Sequence, residues 1–331
     1  MDPNIKLIDR YGRHLNYLRI SITDRCNLRC IYCVPHNHIP KILHKDILRY
    51  EEILRLVRIG VRLGISKVRI TGGEPLVRKG VYSFLDKLTR IEGLSDVSLT
   101  TNGVLLKKNI DKIKSAGIKR INVSMDTLNR KKYKRITGHD HFHQVWEGID
   151  RALDLGFAPI KLNVVALKGI NDDEIIDLAR LTFSYPFHIR FIEQMPIGNA
   201  SIKTDGHLLV PEIKKLISPL GKLIPVEKQI YDGPARRYRF AGAKGEIGFI
   251  SPLTDHFCNK CNRLRLTASG LLRPCLLSDY QEDLKGPLRS GCLDSDLVDV
   301  ILRVVHNKPF EHGVGCSRHD KVSGQMSSIG G

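Results

Sequence analysis

The chain has 331 residues, longer than one average domain though within the reach of a single barrel. Apolar residues make up 42% and charged residues 27%, a balance that excludes a disordered or fibrous chain. Lys and Arg outnumber Asp and Glu by 53 to 35, a net charge of +18 that favours anionic partners such as a nucleotide, a nucleic acid or an acidic membrane surface. No run of about eighteen apolar residues is present, so no membrane-spanning helix is expected. MDPNIKLIDRYGR lacks the apolar core of a secretory signal. A cytoplasmic location follows as the expectation, and in a reducing compartment eight cysteines point to metal binding or catalysis rather than to disulfides.

In chain order, β-branched runs predict strands at residues 15–23, 67–71, 96–101, 119–125, 160–167 and 188–193. Helical patterns lie between them, among them YEEILRLVRIGVRLG, GVYSFLDKLTRI, NIDKIKSAG and NDDEIIDLARLTF. Six β-then-α units in series argue for a parallel sheet with helical crossovers. No dinucleotide fingerprint or phosphate-binding loop follows the first strand, which disfavours an open doubly wound sheet. The expected class is α/β: an incomplete (β/α)6 TIM-type barrel over residues 1–200, with a smaller C-terminal region over 201–331 wrapped against it. That region begins after a linker-like stretch at 195–207 and contains a basic, β-rich run at 236–250.

Each predicted strand alternates polar and apolar residues, whereas buried parallel strands usually read as apolar on both faces. Arg19, Ser21 and Thr23 oppose Leu18, Ile20 and Ile22; Lys67, Arg69 and Thr71 oppose Val68 and Ile70. Ser98, Thr100, Asn122, Ser124, Asp126, Lys161, Asn163, His188 and Arg190 continue the polar set. With helices outside, the polar faces must turn inward. A lumen lined by Arg19, Lys67, Arg69, Lys161 and Arg190 is not a dry core and reads as a solvated cavity for a strongly anionic ligand.

Cysteines fall in two groups of three. Cys26, Cys30 and Cys33 have the spacing C-x3-C-x2-C, and Cys258, Cys261 and Cys275 the spacing C-x2-C-x13-C. Thiolates hold zinc or iron–sulfur clusters, and spacing alone does not choose. His256 could complete a zinc site in the second group. No near neighbour closes a tetrahedron in the first, where His36 and His38 follow in a loop. A four-iron cluster held by three cysteines keeps one iron open to a small molecule.

TDRCNLRCIYC together with TGGEP at 71–75 resembles the radical S-adenosylmethionine (SAM) superfamily. LTTNG, INVSMDTL, NVVALKGIND, IRFIEQMPIG, CNKCNRLRLT and the terminal IGG extend the resemblance over nearly the whole chain, to the GTP 3′,8-cyclase family of molybdenum cofactor biosynthesis. The resemblance implies two [4Fe-4S] clusters and SAM as cofactors, with GTP as substrate. Cys26, Cys30 and Cys33 would hold the SAM-cleaving cluster; Tyr32, Gly73, Ser124 and Met195 match SAM contacts, the TGGEP glycines letting backbone approach the methionine moiety. Cys258, Cys261 and Cys275 would hold a second cluster whose open iron takes the guanine. Arg19, Arg69, Thr100, Lys161, Arg263, Leu264 and Arg265 match GTP-binding positions, with Arg190 and the Gly330–Gly331 tail as further candidates. The implied reaction abstracts hydrogen from ribose C3′ and joins C3′ to guanine C8. Implied partners are an electron donor, cyclic pyranopterin monophosphate synthase as consumer of the product, and a second copy in a homodimer, with no nucleic acid and no membrane.

Two rival readings remain at this level. One is a radical SAM enzyme with an auxiliary cluster that modifies a peptide or RNA, although no extra basic or aromatic binding module is visible. The other is a zinc-stabilised nucleic-acid-binding protein, which has no use for inward arginines. Cys292 and Cys316 read as small core residues, and His139, His141 and His143 as a solvated helix start.

Overall fold

A computed structural model describes residues 6–34, 41–197, 206–227, 232–313, 322–323 and 325–330. Six strands carry the first half: β1 (Tyr17–Ser21), β2 (Lys67–Thr71), β3 (Asp96–Thr101), β4 (Arg120–Ser124), β5 (Lys161–Ala166) and β6 (His188–Glu193). Each is parallel to the next. The crossovers carry α1 (Tyr50–Arg62), α2 (Val81–Thr89), α3 (Leu106–Ser115), α4 (Arg130–Thr137), α5 (Phe142–Asp154) and α6 (Ile175–Ser184). The alternation in the strands explains how the layers meet. Ile20, Ile70, Leu99, Ile121, Leu162 and Ile189 are fully buried in one core with Ile53, Val57 and Ile59 of α1 and the inward stripes of the other helices. Each such side chain contributes about 1.5–3 kcal/mol on burial.

Local signals set the helix ends. Asn129 caps α4 by accepting from the Lys131 and Lys132 amides, and Gly138 ends it at φ 78°. His141 bonds Gln144 at the exposed start of α5, so the histidine-rich GHDHFHQV stretch is a solvated helix entry.

The C-terminal region does more than wrap against the barrel. It adds β7 (Ile224–Pro225), β8 (Arg236–Arg239), β9 (Glu246–Ile250), β10 (Arg263–Leu266), β11 (Leu271–Arg273) and β12 (Glu282–Asp283). β9 lies parallel on β6 and β10 lies parallel on β1, so both edges of the six-stranded core are extended. The result is one twelve-stranded sheet in the order β12-β11-β10-β1-β2-β3-β4-β5-β6-β9-β8-β7, curved but open. Four further helices are α7 (Val210–Ile217), α8 (Lys285–Arg289), α9 (Asp294–His306) and α10 (Met326–Ile329). α7 packs on α6 and β6, and α9 on β11 and β12. Among the described residues no helix is long and apolar enough to cross a membrane.

Candidate active site

The polar strand faces do turn inward, yet the base of the lumen is not open water. Lys67, Arg69, Lys161, Arg190 and Arg265 are all buried. Their neighbours explain how that is tolerated. Lys67 pairs with Asp96 at 3.7 Å and stands 4.6 Å over the Tyr17 ring. Arg69 Nε donates to Ser98 Oγ at 3.2 Å, and Arg190 Nη1 to Asn122 Oδ1 at 3.3 Å. Cations still outnumber anions. Burial, then the Arg190, Arg120 and Arg69 guanidiniums, drive the Lys161 ammonium down to about 6. Above this layer lies a cavity of about 270 Å³.

Strand direction places the two cysteine groups at opposite ends of that cavity. Cys26, Cys30 and Cys33 follow β1, at the carboxyl ends of the parallel strands, where barrel enzymes keep their sites. Cys258 and Cys261 precede β10, which runs parallel to β1, and Cys275 follows the antiparallel β11. The second group therefore lies at the amino ends. All six thiols are free and line the one cavity.

The two ends differ electrostatically. Burial pushes the Cys30 thiol well up, with Asp126 and the neighbouring cysteines adding to it, and pushes Cys33 up to about 12. At the other end burial also raises Cys261, but Arg263 and Lys308 outweigh it and bring that thiol down to about 6. Cys258 in the second triad is raised by burial, so the pull of the cations is specific to Cys261.

The first triad is held by polar residues from several strand ends. Tyr32 Oη donates to Asp126 Oδ2 at 2.7 Å, while the Val165 amide donates to Asp126 Oδ1 at 2.9 Å. Asn102 Nδ2 donates to Asn27 Oδ1 at 2.8 Å and lies 3.6 Å from Cys26 Sγ. Glu74, fully buried, accepts from the Leu76 amide, Thr101 Oγ1 and the Asn102 amide at 3.0, 2.8 and 2.6 Å. The TGGEP glycines answer to the chain itself. A Cβ on Gly73 would stand 2.4 Å from the Arg25 carbonyl oxygen, and one on Gly72 2.7 Å from that of Thr23. Their small size lets β2 close against the start of the cysteine loop, and this brings the Gly73 backbone to the cavity wall.

Of the residues singled out from sequence, Arg19, Tyr32, Arg69, Gly73, Thr100, Ser124, Arg190, Met195, Arg263 and Arg265 line the cavity with the six cysteines. Lys161 lies on the same face, at the start of β5 and below the cavity wall. Leu264 turns its side chain away from its neighbours Arg263 and Arg265 into the apolar core, so its main chain is what it offers a ligand. Gly330 reaches the lumen, where its carbonyl accepts from Arg265 Nη1 at 2.6 Å and a Cβ would stand 2.9 Å from that of Ser21. Gly331, Cys316, His36 and His38 lie outside the described residues. Cys292 packs against the core edge. Asn102, Asp126 and Asn163 also line the cavity without having been assigned a role; alternation had already turned all three inward.

The donor set fits two clusters and a polar ligand. Among the described residues no three Cys, His, Asp or Glu side chains converge on a point that would hold a single ion. All six thiols face the cavity, three from each group. Among the described residues Thr100 Oγ1 and Asn163 Oδ1 are buried on the cavity wall without hydrogen-bond partners, as groups awaiting a ligand would be.

This fold and cavity define a radical SAM protein. Residues 20–182 match the Radical SAM superfamily, and residues 187–314 match Molybdenum Cofactor Synthesis C. The structure of Streptococcus suis SuiB bound to S-adenosylmethionine shares the fold, with a TM-score of 0.63 at 15% identity over 94% of this chain and 68% of that one. The GTP 3′,8-cyclase of Thermodesulfovibrio yellowstonii is 52% identical over 98% of this chain and 99% of its own length. That of Moorella thermoacetica is 49% identical over the same shares. The chain belongs to the GTP 3′,8-cyclase family.

Proposed function

We propose that this cavity converts GTP to (8S)-3′,8-cyclo-7,8-dihydroguanosine 5′-triphosphate, the first step of molybdenum cofactor biosynthesis, with SAM at the Cys26/Cys30/Cys33 end and guanine at the Cys258/Cys261/Cys275 end. The observation that carries this reading is one cavity lined by two separate thiol triads and by the buried cations Arg69, Arg190 and Arg265. When bound, the cluster on the first triad supplies the electron that cleaves SAM to a 5′-deoxyadenosyl radical. The chain's own work is positioning. Arg19, Arg69, Lys161, Arg190 and Arg265 take the triphosphate, for which planar guanidinium forks are suited. Arg263 lies toward the guanine. Tyr32, Gly73, Ser124 and Met195 orient SAM. Fixing both ends of the nucleotide holds C3′ near the radical and bends it toward C8, a proximity effect. Gly330 closes the lumen beside Ser21 and Thr71 and limits quenching by water. A reducing cytoplasm suits the seven described cysteines, all of them free. The chemistry calls for an electron-donating partner and for cyclic pyranopterin monophosphate synthase to take the product.

Anaerobic incubation of cluster-reconstituted protein with SAM, dithionite and GTP, read by mass spectrometry, tests this. Deoxyadenosine together with an isomer of GTP is expected; deoxyadenosine with unchanged GTP would move the substrate to the peptide- or RNA-modifying class.

GTP binding near neutral pH is also expected to take up a proton. Lys161, held down to about 6, is largely neutral there, and a neighbouring triphosphate raises its affinity for a proton. The unfolded chain binds that proton from the ordinary lysine range downward and the folded chain only near 6. Stability from this group therefore rises with pH across that window. Binding enthalpies measured in buffers of differing ionisation enthalpy give the uptake. Lys161→Met should remove it, and a zero slope in the unsubstituted protein would refute the assignment.

A further inference from the structure

The segment after α9 is fastened to the backbone at or beside each cysteine of the second triad. Lys308 is 2% exposed. Its Nζ donates to the Arg263 carbonyl oxygen at 2.9 Å and to that of Pro274, on the arms that carry Cys261 and Cys275. The next two residues, Pro309 and Phe310, give their carbonyl oxygens to Arg13 at 2.7 and 2.9 Å. Arg13 Nη1 also donates to the Cys258 carbonyl oxygen at 2.7 Å, and Asp9 holds Arg13 at 2.6 Å. A backbone hydrogen bond from His312 reaches the Cys258 thiol.

Arg13 has a carboxylate, but Lys308 has none within ion-pairing distance among the described residues. A buried ammonium without a counter-charge costs several kcal/mol. Burial acts against its charge, as do the Arg263 and Arg13 guanidiniums, and the groups that favour it are the thiols of Cys261 and Cys275. An iron–sulfur cluster held by three thiolates carries net negative charge, and reduction adds another. Such a centre is the missing counter-charge.

We propose that Lys308 is a positioning residue for the second iron–sulfur cluster: it ties the Cys261 and Cys275 arms together and supplies a fixed positive charge that holds the cluster's reduction potential up. The inference rests on the reading that Cys258, Cys261 and Cys275 hold that cluster. The geometry assigns two separable effects, one on retention through the hydrogen bonds and one on potential through the charge.

The test uses the full chain with Cys26, Cys30 and Cys33 replaced by alanine, so that only the second cluster gives a signal. About four irons per chain are expected after reconstitution; a chain without iron would overturn the cluster reading, and the inference with it. In that background Lys308→Gln keeps a donor and removes the charge. It should lower the midpoint potential in an EPR-monitored redox titration and lose iron to a chelator several-fold faster. Lys308→Arg keeps the charge and should hold the midpoint near that of the unsubstituted lysine, even if Lys308→Gln does not fold. A Lys308→Gln cluster with unchanged midpoint and unchanged chelation rate, or a lowered midpoint in Lys308→Arg, would overturn the assignment.

Discussion

Replacing Cys30 by alanine should abolish deoxyadenosine formation, whereas replacing Cys261 by alanine should spare it and abolish the cyclic nucleotide. The two cysteines line one cavity but belong to opposite ends of it. Loss of one thiolate leaves two protein ligands at a centre that already has an open iron, so the first cluster would not be retained. Deoxyadenosine should fall by at least about three orders of magnitude, the scale on which members of one catalytic unit fail together. The Cys261 variant keeps Cys26, Cys30 and Cys33 and their supports Asn102, Tyr32 and Asp126. With dithionite as reductant it should still cleave SAM while GTP emerges unchanged. Each variant should lose about half of the reconstituted iron. Equal loss of both products from both variants, with iron retained, would contradict two functionally distinct ends.

Gly73→Ala should destabilise the protein by roughly 3 kcal/mol or more, a large loss for one methyl group. The added Cβ would meet the Arg25 carbonyl oxygen at 2.4 Å and that of Asp24 at 2.9 Å. Both neighbours are backbone, and the Gly73 amide is bonded to the Thr23 carbonyl oxygen at 2.6 Å, so neither side can retreat cheaply. Relief would pull the cysteine loop off the end of β2. Gly156→Ala is the control, because Gly156 has φ 78° and nothing within 4 Å of an added Cβ. It should cost about 1–2 kcal/mol through backbone strain alone. Denaturant midpoints and iron content would be measured together; a Gly73→Ala protein as stable as the control would remove the steric account.

The strands were legible because each follows a two-residue period between turn signals, and β2, β3 and β6 fall on the predicted runs. The inward arginines were legible for the same reason. What periodicity could not show was distance. Nothing local announces that β10 will lie beside β1, so the register that sets Arg265 opposite Arg19 and Arg263 opposite Tyr17 was invisible. Tyr17, buried on the inward face with Lys67 and Arg69 over its ring, was missed because a tyrosine does not stand out as polar, although it shares the phase of Arg19 and Ser21. Lys308 and Arg13 stand in stretches without period or motif, and only the folded chain brings them to the second triad. The TGGEP glycines were legible as a close approach to a ligand, and the close approach of the protein's own backbone to them was not.

The pairing of β10 with β1 also sets a timetable for synthesis. Arg13 meets Cys258 across 245 residues of sequence, so the flank of β1 stays uncovered until β10 has been made. Contacts of such range close late. A nascent or truncated chain ending before β10 would present a bare strand edge beside three exposed thiols, inviting self-association and oxidation. The cavity around Cys26, Cys30 and Cys33 is therefore completed only after β10 has been made.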